Sequence, residues 1–147
     1  MKDRALLASQ WSLAGRSSDV GDIQFSQLQW NDSFLIVRLM RKKTRQYHST
    51  AMFPVVLQWE HDQLHGLAAL LVVDRFNLSE CVFSQINFEP SQDNVAAYIS
   101  RLIDSLSAIG NSAFPTRNLK SHSSPAAAAV AASNSEINFS DLAHRGR

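Results

Sequence analysis

Residues 34–40 read FLIVRLM, a run of bulky and β-branched side chains that predicts a β-strand. Asn31 and Asp32, just before this run, favour a turn. Residues 41–46 are polar and basic, and residues 47–53, YHSTAMF, predict a second strand. We therefore expect a β-hairpin with a basic tip, closed by Pro54.

Helical patterns flank the hairpin on both sides. Before it, residues 5–13 predict a helix that Gly15 ends, and a short second helix runs from Ser17 or Ser18 to near Gln27. After it, residues 60–73 and 93–109 predict two longer helices, and a loop over 74–90 contains a short extended piece at 81–83. An alanine-rich helix over 126–132 and a short helix over 139–144 follow. This order predicts the α+β class, mainly α.

The composition fits one soluble intracellular domain. The chain has 147 residues, with 14 Lys and Arg against 13 Asp and Glu, for a net charge of +1. Cys81 is the sole cysteine, which excludes an intramolecular disulfide and suits the cytosol or nucleus. The longest apolar run, residues 67–73, is far too short for a bilayer, so we expect no membrane partner.

The hairpin carries a local cluster of charge in this nearly neutral chain. Five cations lie within eight residues: Arg38, Arg41, Lys42, Lys43 and Arg45. Such a cluster favours a polyanion, because neutralising phosphates releases counterions. A solvated hairpin tip and a nuclear localisation patch are the plainer alternatives.

Three other segments carry weaker signals. Arg16 follows a glycine at a helix start and has an acid, Asp19, three residues on. His122, in KSHSSP at 120–125, precedes a predicted helix N-terminus, where an anion can bind. His144 lies close to the end of the sequence. Taken singly, these are an exposed arginine, a capped loop histidine and a charged frayed end.

Metal and cofactor signals are weak. His61 and His65 have the i, i+4 spacing of zinc ligands, but the residue after His61 is Asp62 and not the glutamate that an HExxH motif requires. There is no glycine-rich phosphate loop. Cys81 lies among apolar residues and is expected in the core. We therefore expect no metal and no cofactor.

Taken in order, these segments resemble the catalytic domain of the tyrosine recombinases, or phage integrases. The residues that carry the resemblance are the Arg16 box, the strand ending in Lys42-Lys43-Thr44, and the segment 120–123. Lys43 follows Arg16 by 27 residues. The versions in eukaryotic mobile elements such as Cryptons are the most similar in character.

The resemblance implies a fold and a set of roles. The fold would be the helical catalytic core of the DNA breaking–rejoining enzymes, with double-stranded DNA as the partner. Arg16 would be the first catalytic arginine, supported by Asp19, and Lys43 the general acid on the hairpin. His122 would match the histidine of the His-x-x-Arg box, and His144 is a candidate for the later His/Trp position.

The sequence also departs from the family. Pro125 stands where the second arginine is expected, and proline offers neither a charge nor an N–H to a phosphate. The only tyrosines, Tyr47 and Tyr98, precede the histidine box, whereas the nucleophile should follow His144. These departures predict a partial core over 1–122 and a remnant over 123–147 that stops before the nucleophile.

Three functions follow as hypotheses. The first is a DNA-binding remnant of a recombinase core, in the nucleus or cytoplasm and inactive alone. The second is a non-enzymatic nucleic-acid binder that uses the basic hairpin. The third is a protein-interaction module or an unstable fragment, with a protein partner or a second copy docked on the apolar face of residues 60–73.

Overall fold

The computed structural model describes residues 1–55, 59, 62–76, 78–84, 93–108, 119–121, 123 and 127. Within these ranges the chain forms α-helices and a three-stranded antiparallel sheet, which confirms the α+β class. The elements in chain order are α1 (Lys2–Ser12), α2 (Ser17–Gly21), a 3₁₀ turn (Phe25–Gln27), β1 (Leu28–Asn31), β2 (Phe34–Arg41), β3 (Gln46–Met52), α3 (Gln63–Val73) and α4 (Asp93–Ala108).

The sheet has the order β1-β2-β3, with β2 at its centre. Val37 pairs with Leu28 on one side and with Thr50 on the other. The predicted hairpin is therefore confirmed as β2 and β3. The sequence reading missed β1, because its four residues are too few to show an alternating pattern.

Strand β2 separates its residues onto two faces, as the alternation of side chains requires. Leu35, Val37 and Leu39 are buried on the inner face. Arg41 shares their parity and is also buried. The inner face is therefore part of a core that also contains Leu6 and Leu13 of the α1 region.

The end of α1 is a Schellman-type motif. The Ala14 N–H bonds the Trp11 carbonyl at 3.2 Å, and the Gly15 N–H bonds the Gln10 carbonyl, also at 3.2 Å. Ala14, not Gly15, adopts the left-handed backbone conformation, with φ at 45°. The predicted stop at Gly15 was thus one residue late. Gly15 is needed for space, since a Cβ there would lie 2.5 Å from a Val20 methyl group.

Helix α3 begins as a capped helix and packs on α1. The Asp62 carboxylate accepts the backbone N–H groups of Leu64 and His65, at 2.8 and 3.2 Å. A Cβ on Gly66 would meet the α1 backbone at Ala5, 3.6 Å away. Helix α4 lies against α2 in the same way, with Val95 next to Gly21.

The segment at 81–83 joins the domain through a single β-bridge at Cys81, and residues 82–84 form a turn in place of the extended piece predicted there. Cys81 pairs with Gln24 as an isolated bridge, and the Val82 N–H bonds the Ile23 carbonyl at 2.9 Å. Val82 and Phe83 are buried, but Cys81 is only half-buried, which corrects its expected place in the core.

Several expectations fall on other parts of the chain. His61, the helix over 139–144 and, apart from residue 127, the alanine-rich helix over 126–132 lie outside the described residues. The same holds for His122, Pro125 and His144. Of the helices in the described ranges, none combines the length and apolar character needed to cross a membrane.

Candidate nucleic-acid interface

A buried ion pair joins α2 to the base of the hairpin. The Arg41 Nη1 lies 3.5 Å from the Asp19 Oδ2, and both side chains are at most 2% exposed. The Lys42 backbone N–H donates to the other Asp19 oxygen at 3.2 Å. The Arg41 Nη2 also donates to the Leu13 carbonyl at 3.3 Å. Asp19 therefore holds the Arg16 box against the start of the basic turn.

Arg41 does not lie on the surface, which corrects its expected place among five exposed cations. Burial lowers the pKa of its guanidinium, while the Asp19 carboxylate raises it and the nearby Arg16 charge lowers it further. The strand alternation was the signal for this outcome, since Arg41 has the same parity as Leu39 and Val37. The Arg41 charge therefore pairs with Asp19 in the interior and does not face solvent.

The remaining hairpin cations differ in exposure. The Lys42 ammonium forms an ion pair with Asp22 of the α2 C-cap and is half-buried. Arg38, Lys43 and Arg45 are exposed. Arg45 closes the turn in the left-handed conformation, with φ at 54°, and its N–H bonds the Arg41 carbonyl at 2.7 Å. Three of the five predicted cations therefore face solvent around the hairpin.

Arg16 lies at the start of α2, where it is the N-cap residue. Its carbonyl accepts the N–H groups of Asp19 and Val20, each at 3.0 Å. The side chain is half-buried. Because its charge contributes to the pKa of Arg41, it lies in the same electrostatic neighbourhood as the base of the hairpin.

A buried polar node brings a third, distant segment to this place. The Gln10 Nε2 donates to the Ser121 carbonyl at 2.7 Å and to the Ser17 hydroxyl oxygen at 3.2 Å. The Ser17 hydroxyl donates to the same carbonyl at 3.3 Å. All three residues are buried. The backbone just before His122 is thus fixed beside the residue that follows Arg16.

Sequence reasoning missed Gln10 as a member of this site. Gln10 lies between Leu6 and Leu13 at helical spacing, so it occupies the apolar stripe of α1. A polar side chain in a buried stripe requires a hydrogen-bond partner, which is a signal that the sequence already contained.

The two tyrosines are engaged elsewhere. The Tyr98 hydroxyl on α4 donates to Asp3 Oδ1 at 2.5 Å. Burial, together with the Asp3 carboxylate, raises the pKa of Tyr98 to about 12. This keeps the phenol protonated, whereas a nucleophile requires the opposite shift. Tyr47 lies under the Arg38 guanidinium, 5.5 Å from ring centre to Cζ.

An apolar groove of about 640 Å³ runs between the sheet and α3. Its lining residues are Phe25, Leu28, Trp30, Leu35, Pro54, Asp62, Leu64, His65, Leu67, Ala68 and Leu71. The groove uses part of the apolar face that the sequence assigned to residues 60–73. Within the described part of the chain, no group of three or more His, Cys, Asp or Glu residues could hold a metal ion.

No protein-family model matches the chain, and no curated protein or solved structure does either. The site is described by its geometry alone. It is a cationic hairpin turn that Asp19 attaches to the short helix α2, whose N-cap is Arg16. Cations fixed in this way can bind a polyanion by charge, because the elements that carry them are held together by buried contacts.

Proposed function

We propose that the chain is a DNA-binding remnant of a DNA breaking–rejoining catalytic domain of the tyrosine-recombinase type, inactive alone. The supporting observation is that three segments far apart in the sequence meet around α2. Asp19 bonds the Lys42 backbone, and Ser17 bonds the Ser121 carbonyl. An active site assembled from an arginine box, a hairpin lysine and a histidine box needs this arrangement.

Binding would come from charges that the fold supports. Arg16 and Lys43 would contact phosphates of double-stranded DNA, and Arg38 and Arg45 would add contacts beside them. The buried pair of Arg41 with Asp19 would hold the hairpin in place but would not touch DNA, since Arg41 is 2% exposed. Arg41 is therefore not among the residues that we propose to bind DNA, although the sequence suggested that it would be.

Inactivity follows from two features of the residues. Pro125 replaces the second arginine, and loss of one such electrostatic donor costs about 10²–10³ in rate. The hydrogen bond of Tyr98 to Asp3 and its raised pKa oppose a nucleophilic role for this phenol. DNA binding without strand cleavage is the activity that these residues support.

The second candidate is a nucleic-acid binder that uses the hairpin alone. It is favoured by exposure, since Lys43 and Arg45 are exposed whereas Arg16 is half-buried. This candidate requires Lys43 but not Arg16, so the two functions make different predictions for one variant.

Fluorescence anisotropy with a labelled 30-base-pair duplex, at low and moderate salt, tests both. Arg16→Ala and Lys43→Ala should each weaken binding. Each should also make the negative slope of log K against log salt shallower by about 0.9, because one phosphate contact is lost. Arg101→Ala, an exposed cation on α4, is the matched control and should bind as the wild type does. Loss with Lys43→Ala alone would establish the hairpin binder. Duplex binding that ignores both residues would refute the proposal.

Covalent trapping tests the absence of catalysis. The same duplex, incubated with the chain and denatured in SDS, should leave no label attached to protein. A covalent adduct lost in Tyr98→Phe or Tyr47→Phe would show that the chain cleaves DNA and would refute the inactive form.

A further inference from the structure

The outward face of the β2–β3 pair carries aromatic and cationic side chains. Alternation places Arg38 and Met40 of β2 on this face, opposite the buried Val37 and Leu39. The register pairs Arg38 with Ser49 and Met40 with Tyr47. Tyr47 and Arg38 are both exposed, Tyr47 to 55%.

Two ring systems mark the ends of this face. At one end the Arg38 guanidinium lies over the Tyr47 ring, 5.5 Å from its centre. At the other end the rings of Phe34 and Phe53 lie 5.1 Å apart, and Phe53 is 56% exposed. The six residue steps from Phe34 to Met40 along β2 correspond to about 20 Å. The face therefore offers two aromatic surfaces at a separation that several nucleotides can span.

The charge of this region has one sign. Residues 34–53 contain no Asp or Glu, and they contain the exposed cations Arg38, Lys43 and Arg45. Exposed rings beside cations, with no carboxylate among them, are complementary to a strand of stacked bases with a phosphate backbone. A protein partner matched by apolar contact alone would gain nothing from this charge.

We propose that the outward face of β2 and β3 is a stacking platform for unpaired DNA. One base stacks on Tyr47 and another on Phe53, while Arg38 and the cations of the turn contact the backbone. The choice of DNA over RNA rests on the proposed function, since the same turn carries Lys43. The platform itself rests on the rings and charges of the face.

Anisotropy with a labelled dT12 oligonucleotide tests the platform. Tyr47→Ala and Phe53→Ala should each weaken dT12 binding about 5- to 150-fold, the range that alanine substitution of a stacking residue gives. Tyr47→Phe keeps the aromatic ring and should bind dT12 as tightly as the wild type does. The matched control is Phe76→Ala, because Phe76 is also exposed and also lies under an arginine, Arg75, at 4.8 Å, but outside the sheet.

The possible outcomes test the stacking platform and the proposed duplex-binding function independently. The expected result is that Tyr47→Ala loses dT12 affinity and keeps duplex affinity. Wild-type dT12 binding by both alanine variants, or an equal loss with Phe76→Ala, would overturn the platform. Tighter binding of rU12 than of dT12 would overturn the choice of DNA. Duplex binding that ignores Arg16 and Lys43, beside dT12 binding that needs Tyr47, would refute the proposed function alone.

Discussion

Replacing Asp19 by asparagine would leave the Arg41 guanidinium buried without the carboxylate that faces it. The substitution isolates the charge, because the asparagine Oδ1 can still accept the Lys42 N–H bond seen at 3.2 Å. The bond from Arg41 to the Leu13 carbonyl would also remain. We expect a large loss of stability from this single atom change.

The magnitude follows from the geometry of the pair. At 3.5 Å, and with an effective dielectric constant of about 20, the attraction of Arg41 for Asp19 is about 5 kcal/mol. Removing one partner of a buried pair costs about 3–5 kcal/mol, since the other charge stays out of water. A domain of this size has a total stability of about 5–15 kcal/mol, so the variant should be marginal.

The assay is urea denaturation of a double-mutant cycle with Asp19→Asn, Arg41→Met and the double variant. The double variant should be much more stable than the sum of the single losses predicts, because it buries no unpaired charge. Asp22→Asn is the matched control, since its pair with Lys42 joins the same two elements but is 30–38% exposed. This control should lose less than about 1 kcal/mol.

A loss below about 1 kcal/mol for Asp19→Asn would place this pair with ordinary surface pairs and refute the reasoning. A double variant no more stable than either single variant would refute it as well, even if Asp19→Asn failed to fold.

Three further predictions concern single positions. Ala14→Gly should raise the free energy of unfolding by about 0.5–1 kcal/mol in urea denaturation, because φ is 45° there, and a decrease would show that the left-handed residue is not strained. Gly21→Ala should lower it by about 1–3 kcal/mol, because the new Cβ would lie 2.5 Å from a Val95 methyl group, and Val95→Ala in the same chain should recover part of the loss. Tyr98→Phe tests a pH dependence: the pKa of Tyr98 is raised from 10 to about 12, so its contribution is present below pH 10 and is lost as the pH rises from 10 to 12. The stability difference between wild type and Tyr98→Phe should therefore shrink over that interval, and a constant difference would contradict the assignment.

The elements that the sequence predicted well are those with long, regular patterns. Strand β2 and helix α4 were placed within one residue of their ends, because their apolar residues repeat over many positions. Strand β1 could not be predicted, since four residues provide no period and the pairing with β2 supplies its stability. The C-terminal stop of α1 was shifted because Ala14 takes a conformation that usually selects glycine.

The candidate site likewise has features that local sequence patterns predict and features that they do not. The cluster of cations was visible as composition, and strand parity indicated that Arg41 points inward. Its buried ion-pair partner could not be predicted, since Asp19 lies 22 residues earlier in the chain. Gln10 and Ser121 were unconnected in the sequence because their contact spans 111 residues. Local patterns predict elements, while contacts of this separation depend on how the elements pack.

The contact of Gln10 with Ser121 has a consequence for the order in which the molecule forms. At a synthesis rate of about 5–20 residues per second, Gln10 is made about 5–20 s before Ser121. The hairpin closes locally in microseconds, so β2 and β3 can pair long before this time has passed. During that wait the Gln10 amide and the Ser17 hydroxyl lack the carbonyl that they bond in the folded chain. The buried hydrogen bonds that join α1 and α2 to the Ser121 carbonyl are thus completed only when a segment made more than a hundred residues later arrives.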